Sequence, residues 1–359
     1  MPGVAAVVVL SVGVGIGVNT AVFSWIQAIV LKPIPGVERS GSFYTLEPKS
    51  DIGTYPGMSW AEYRDLKPQI QSIDELVAFR MAPLNVGDTG RTERTYALLV
   101  SGNYFEGLNL RPAAGRFIRP DEAATAGASP IVVLSYDYWQ TRFAGSDAAI
   151  GQTLQINDNR LTIVGVTPEY FQGAILGLQF DLWVPATLAP GLIPGSTELD
   201  SRSQRGYSAI GRLRSDATEA QASAELLAAM RELAAAFPES NGRISGELRP
   251  FWKAARGPQM MFVAALALLQ GVMLLVLLAV CGNTANLVLA RASTRYREVG
   301  VRLSLGAGPG HVIRLMLAEN VLLGLLGAVL GLLVAWWGTE ALRADACVWR
   351  VPRALPDQS

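Results

Sequence analysis

The sequence predicts an α+β soluble domain, built of two subdomains, attached to a transmembrane α-helical region with three membrane helices. Three observations lead there. Val4 to Leu31 is a run of 28 residues without a charged side chain, and Gly257 to Ala290 is another of 34. The segment between them breaks into short apolar runs separated by Gly, Pro, Asn and Ser, the pattern of strands, helices and turns around a soluble core. Only 17% of the residues are charged and the mean hydropathy is +0.28, against about 25% charged residues in ordinary soluble domains.

Residues 4–31 form the first membrane helix. At about 1.5 Å per residue such a helix reaches ~42 Å, enough to cross a ~30 Å hydrocarbon core with some tilt. The rival assignment is a cleaved signal peptide. Against it, the apolar run exceeds an h-region of about 7–15 residues, no basic segment precedes it, and no A-x-A-like site follows. The missing basic flank also leads to the expectation that the natural chain begins upstream of Met1.

Residues 34–255 read as the soluble domain. Phe43 to Leu46 is a strand. Ser59 to Phe79 is expected as a helix, with Ser59 capping it, Glu62 at the capping-box position, and Pro68 kinking or splitting it. Arg94 to Val100 is a strand, Gly102 to Leu108 a short helix, and Ile131 to Leu134 a buried strand. Ser135 opens a helix to Phe143. Gln152 to Ile156 and Arg160 to Val166 form a hairpin turned by Asn157-Asp158-Asn159. Asp181 to Pro185 and Tyr207 to Leu213 are strands, and Pro185 to Ser203 reads as a loop or linker. Thr218 to Phe237 is an Ala-rich helix, and Ile244 to Leu248 pairs back into the first sheet. The β-rich middle, about 82–195, is expected as an insertion forming the second subdomain.

Residues 260–288 form the second membrane helix and 315–338 the third. The 291–314 loop between them carries Arg291, Arg295, Arg297, Arg302 and Arg314 against Glu298, so 5 − 1 gives net +4. A short basic loop stays in the cytoplasm. The large domain, at 22 basic and 25 acidic residues between Lys32 and Arg256, then lies on the other side.

Several chemistries are excluded. Net charge is zero, 30 basic against 30 acidic residues, which gives no footprint for nucleic acid. One His and two Cys do not make an ordinary zinc site or a disulfide framework. No lysine stands in a P-loop, so ATP, if used, is bound by another chain. Gly57-Met58-Ser59-Trp60-Ala61 fails the nucleophile-elbow pattern at its last position. His311 has no nucleophile near it in sequence. We therefore expect no enzyme activity, no metal and no cofactor.

Two patterns remain. Gly13 and Gly17, and again Gly327 and Gly331, match G-x-x-x-G inside apolar helices. That spacing strips one face and lets another helix approach; the ordinary glycine enrichment of membrane helices is the plainer explanation. Arg291, Arg295, Glu298 and Arg302 recur at spacings of 4, 3 and 4, so a helix would set them on one face, with Glu298 and Arg302 paired. Gly306 ends that helix. Such a helix lies along the inner membrane surface. It is either a flank attracted to anionic lipid or a docking face for a cytoplasmic partner.

The stretch Asn286 to Ala307 followed by His311 to Glu319 resembles the signature of MacB/FtsX-type ABC transporter permeases, which typically reads A-R-A-x-x-R-x-x-E-I-x-x-R-x-A-L-G-A and then R-x-x-L-x-E. Ser304 stands where that family usually has Ala. Gly15 to Phe23 and Leu31 to Pro35 are similar to its first helix. Gly102 to Leu108, Gly115 to Phe117, Leu134 to Trp139 and Ile163 to Val166 resemble its periplasmic core, most of all in the duplicated orphan permease branch. The resemblance implies a type VII architecture: an inner-membrane, multi-pass, non-catalytic permease that passes ATP-driven motion to its periplasmic domain. It assigns ATPase coupling to Arg291, Arg295, Glu298, Arg302, Gly306 and Ala307. It implies a separate cytoplasmic ABC ATPase that binds the ATP, a permease dimer or a pseudo-dimer with a second permease half, and a periplasmic partner or substrate. A fourth helix is also implied. None follows in the sequence, so the polar residues 339–359 are expected to be a truncated tail and the chain an N-terminal fragment. The alternative function is a membrane-anchored adaptor or sensor without an ATPase; an adjacent ATPase gene would discriminate against it.

Overall fold

The computed structural model describes residues 2–31, 34–50, 53–54, 57–87, 92–175, 178–254, 259–294, 301 and 309–346. Contacts divide the chain into two units, Met1–Ala28 with Met261–Ser359, and Ile29–Met260.

The second unit is built on one 12-stranded sheet. Its strands are β1 (Phe43–Ser50), β2 (Gly53–Thr54), β3 (Met58–Ser59), β4 (Val77–Val86), β5 (Glu93–Val100), β6 (Ala114–Gly115), β7 (Ile131–Leu134), β8 (Thr153–Ile156), β9 (Asn159–Val166), β10 (Leu182–Pro185), β11 (Arg205–Arg212) and β12 (Ile244–Pro250). The order is β12-β1-β11-β4-β5-β10-β7-β9-β6, with β2 on β1, β3 on β11, and β8 on β4 and β9. β5 and β10 are parallel, as are β7 and β9; the other pairs are antiparallel.

The sheet is covered on both faces, and the strand period of two sorts its residues between two cores. Along β5, Ala97 and Leu99 enter one cluster while Leu98 and Val100 enter the other. Along β7, Val132 and Leu134 alternate in the same way with Ile131 and Val133. Helices α2 (Trp60–Leu66), α4 (Tyr136–Phe143) and α6 (Glu219–Ala236) contribute buried residues to the first cluster. α3 (Tyr104–Gly107) contributes Tyr104 and Phe105 to the second. α5 (Ala189–Leu192) and α7 (Pro238–Asn241) are single turns.

Local signals explain three of the helix starts. Ser59 accepts from Glu62 N–H and Glu62 accepts from Ser59 N–H, closing a capping box on α2; Thr218 and Gln221 do the same on α6. The Ser135 hydroxyl caps α4 by accepting from Tyr138 N–H. In the β8–β9 hairpin, Ile156 pairs with Asn159, so the loop is Asn157-Asp158, and Asn157 takes φ 48°, a left-handed conformation that Asn tolerates. Its side chain accepts from Asn85 N–H and donates to Leu192 O.

Three expectations are revised. The helix expected from Ser59 to Phe79 stops at Leu66, and Val77 onward is β4. Pro68 lacks an N–H and its ring clashes with the carbonyl four residues back, so the helix cannot run through it. The proposed insertion boundary at about residue 82 falls inside β4. That strand pairs with β11 at Val77–Phe79 and with β5 from Phe79 to Val86, so the sheet is continuous across it. The segment Pro185–Ser203 is not a bare linker: Ala186, Ala189, Leu192 and Leu199 are buried in the first cluster.

The other unit contains α1 (Pro2–Leu31), α8 (Gln259–Thr294) and α9 (Pro309–Ala346). Each holds a stretch long and apolar enough to cross a membrane: Ala5–Ser24, Ala264–Ala290 and Leu317–Glu340. α9 begins at Pro309, ahead of the expected 315. Pro suits a first helical position, where its missing N–H costs nothing. The helix continues to Ala346, so the first part of the expected polar tail is helical.

Candidate functional site

The expected coupling face lies mostly outside the described residues. Arg291 belongs to the last turn of α8. Arg295, Glu298, Arg302, Gly306 and Ala307 are not among the described residues, which between α8 and α9 include only Val301.

The four glycines are described and come together. A Cβ on Gly17 would stand 2.7 Å from Val334 Cβ and 2.9 Å from Gly331 O; one on Gly13 would stand 2.8 Å from a Leu330 methyl and 3.1 Å from Gly327 O. From the other side, a Cβ on Gly331 would lie 3.0 Å from Gly13 O, and one on Gly327 3.0 Å from Val12. The glycine stripes of α1 and α9 therefore face each other at backbone contact. No larger residue permits that approach, and between membrane helices close packing is a main source of association.

A polar clamp holds α1 to α8. Asn19 Nδ2 donates to Met273 O at 2.9 Å, and Gln270 Nε2 donates to Asn19 Oδ1 at 2.6 Å. Gln270 Oε1 is buried and has no hydrogen-bond partner among the described residues. Interhelical hydrogen bonds of this kind contribute about 0.6 kcal/mol on average in a membrane and up to ~1.7 kcal/mol. The clamp was not among the expectations from sequence. Its signal was there, since Asn19 and Gln270 are the kind of side chain that bonds across helices in an apolar run.

In the domain, two buried ionic groups tie distant segments. Glu62, fully buried at N3 of α2, takes both guanidinium nitrogens of Arg205 on β11, at 2.6 and 2.5 Å, and accepts from Asn241 of α7. Glu198 receives Arg80 of β4 at 2.6 Å and the Tyr207 hydroxyl at 2.7 Å. Burial, then the Glu198 charge, pushes the Tyr207 phenol well above its ordinary range. The capping box marked Glu62 in the sequence, but neither arginine partner could be read there.

No cluster of three or more His, Cys, Asp or Glu able to hold a metal occurs among the described residues. Ser59 is engaged as a helix cap.

These features define a class: a membrane protein with a large mixed α/β domain between its first and second membrane-length helices. Residues 5–229 match the family model for the MacB-like periplasmic core domain, and residues 271–354 that for the FtsX-like permease C-terminal region. The chain belongs to the MacB/FtsX-type permease family. It is 27% identical over 338 residues to the probable syringafactin export ATP-binding/permease protein SyfD of Pseudomonas syringae pv. tomato, covering 92% of this chain and 46% of that one. It is 23% identical over 298 residues to the macrolide export ATP-binding/permease protein MacB of Escherichia coli K12, covering 78% and 43%. The chain thus spans about half the length of the curated relatives it matches. Among solved structures, the periplasmic region of MacB from Actinobacillus actinomycetemcomitans aligns with a TM-score of 0.44 at 13% identity, over 59% of this chain and 90% of that one.

Proposed function

We propose that this chain is the non-catalytic permease subunit of an ABC system in the bacterial inner membrane, with its large domain in the periplasm. A separate cytoplasmic ATPase binds and hydrolyses ATP and docks on the coupling segment, through Arg291, Arg295, Glu298, Arg302, Gly306 and Ala307. Its motion reaches the domain between α1 and α8 and acts there on a substrate or partner for efflux or export. A second permease half completes the assembly.

The observation that carries this is the joining of the helices. α1 enters the domain and α8 leaves it in sequence; Asn19 bonds α1 to α8, and the glycine stripes bring α1 against α9. A displacement at the basic segment between α8 and α9 is thereby shared with α1. Close packing of Gly13 and Gly17 on Gly327 and Gly331 is, in this proposal, what keeps the transmission stiff.

The test is Arg295→Glu with Arg302→Glu. At an interface, like charges set against acidic groups cost several kcal/mol. We expect the double reversal to leave expression and topology intact while abolishing co-purification of the ATPase and permease-stimulated hydrolysis. Unchanged ATPase binding would refute the coupling role and promote the adaptor alternative.

A further inference from the structure

The parallel strands β5 and β10 end side by side at Val100 and Pro185. A cleft of about 510 Å³ opens at this place, lined by Ser101 and Asn103 after β5 and by Thr187 after β10. Its volume falls within the range of about 300–1,000 Å³ typical of small-molecule sites.

The walls differ in chemistry. One is a stripe of α2 and its C-cap, in which Trp60, Tyr63, Arg64 and Lys67 recur at helical spacing. The other is made of small side chains, Ala123, Ala124 and Ala126, and the cleft is completed by Leu199 and Asp200. Arg64 and Asp200 are exposed, and neither forms an ion pair among the described residues. Lys67, beside Arg64, reaches Glu75 only at 3.7 Å.

Thr187 supplies an independent observation. The residue is 4% exposed, and its hydroxyl is buried without a hydrogen-bond partner among the described residues. Buried hydroxyls in native proteins are bonded to protein, water or ligand. Ser101, Asn103 and Tyr63 are by contrast already satisfied: Ser101 accepts from Ala78 N–H, Asn103 donates to Glu75 and Leu76 O, and Tyr63 donates to Leu76 O or Asn103.

We propose that this cleft binds a short zwitterionic peptide. The carboxylate lies toward Arg64 and Lys67, the ammonium toward Asp200, an apolar side chain rests on Trp60, and a peptide group meets the Thr187 hydroxyl. A purely anionic ligand would face Asp200 and a purely cationic one Arg64 and Lys67, so the mixed rim selects a ligand carrying both charges. The inference goes beyond the energy-transmission proposal and does not rest on it, because it uses no residue of the membrane unit.

The experiment is isothermal titration of the full chain in lipid nanodiscs with the tetrapeptide Ala-Leu-Ala-Leu, in free, N-acetylated and C-amidated forms. We expect saturable binding of the free peptide, weakened on the order of ten-fold by either block, since each removes one charge-assisted contact. Arg64→Ala should erase the preference for the free carboxylate and Asp200→Ala that for the free amine. Ala124→Trp, which fills the cleft from its small-residue wall, should abolish binding while the unfolding temperature stays unchanged. Equal binding of all three peptides, no saturable binding at millimolar concentration, or undiminished binding by a folded Ala124→Trp variant would each overturn the proposal.

Discussion

Replacing Arg205 with Met tests the buried pair that ties α2 to β11. The Glu62 side chain is 0% exposed and that of Arg205 5%. In the variant, Glu62 keeps the Ser59 N–H at 2.9 Å and the Asn241 amide, but loses the one cation it pairs with among the described residues. Breaking a buried pair from one side costs about 3–5 kcal/mol, because the remaining charge stays desolvated and uncompensated. In a domain of this size each kcal/mol moves Tm by about 2–4 °C, so the drop should be roughly 6–20 °C. The companion Glu62→Gln with Arg205→Met removes both charges but keeps an acceptor at the capping-box position. It should regain more than half of the loss. The assay is thermal unfolding of residues 36–254 by circular dichroism under reducing conditions. That segment contains no Cys, and we expect it to fold as a soluble monomer. A shift within about 2 °C for Arg205→Met, or a double variant less stable than the single one, would refute the reasoning.

Further outcomes follow from the structure. Gly17→Leu should lower the unfolding temperature of the full chain in detergent, by overpacking worth about 1–3 kcal/mol. Gly271→Leu should not, because a Cβ there meets nothing within 4 Å; equal effects would count against a close α1–α9 contact. Burial pushes the Tyr63 phenol up to about 12. Below pH ~10 both states hold that proton, and between ~10 and ~12 only the folded state does, so stability falls as pH rises, by about 1.4 kcal/mol per unit. Tyr63→Phe should flatten this alkaline loss by one proton, and an unchanged slope would contradict it. In a background lacking Cys281 and Cys347, a cysteine at Asp158 should react with an impermeant thiol reagent on spheroplasts and one at Ser293 should not. The reverse pattern would overturn the orientation read from the +4 loop.

The sequence by itself determined whatever depends on neighbours along the chain. Apolar length set the three membrane-length helices. The Ser59 cap and the helix start at Ser135 were legible because each hydroxyl bonds a backbone group three residues away. The β8–β9 hairpin was legible because its two strands are separated only by a turn. Tertiary structure alone decided the rest. Val77–Val86 is a strand because β5 and β11 supply its backbone partners, and β11 lies far along the chain. Glu62 could be read as a cap, but its partner Arg205 is 143 residues distant. The glycine spacings marked one face on each of two helices without saying that those faces meet. Local hydrogen bonds and hydrophobic length are written in consecutive residues. Strand pairing, buried ion pairs and helix seams join segments whose separation along the chain carries no record of their distance in space.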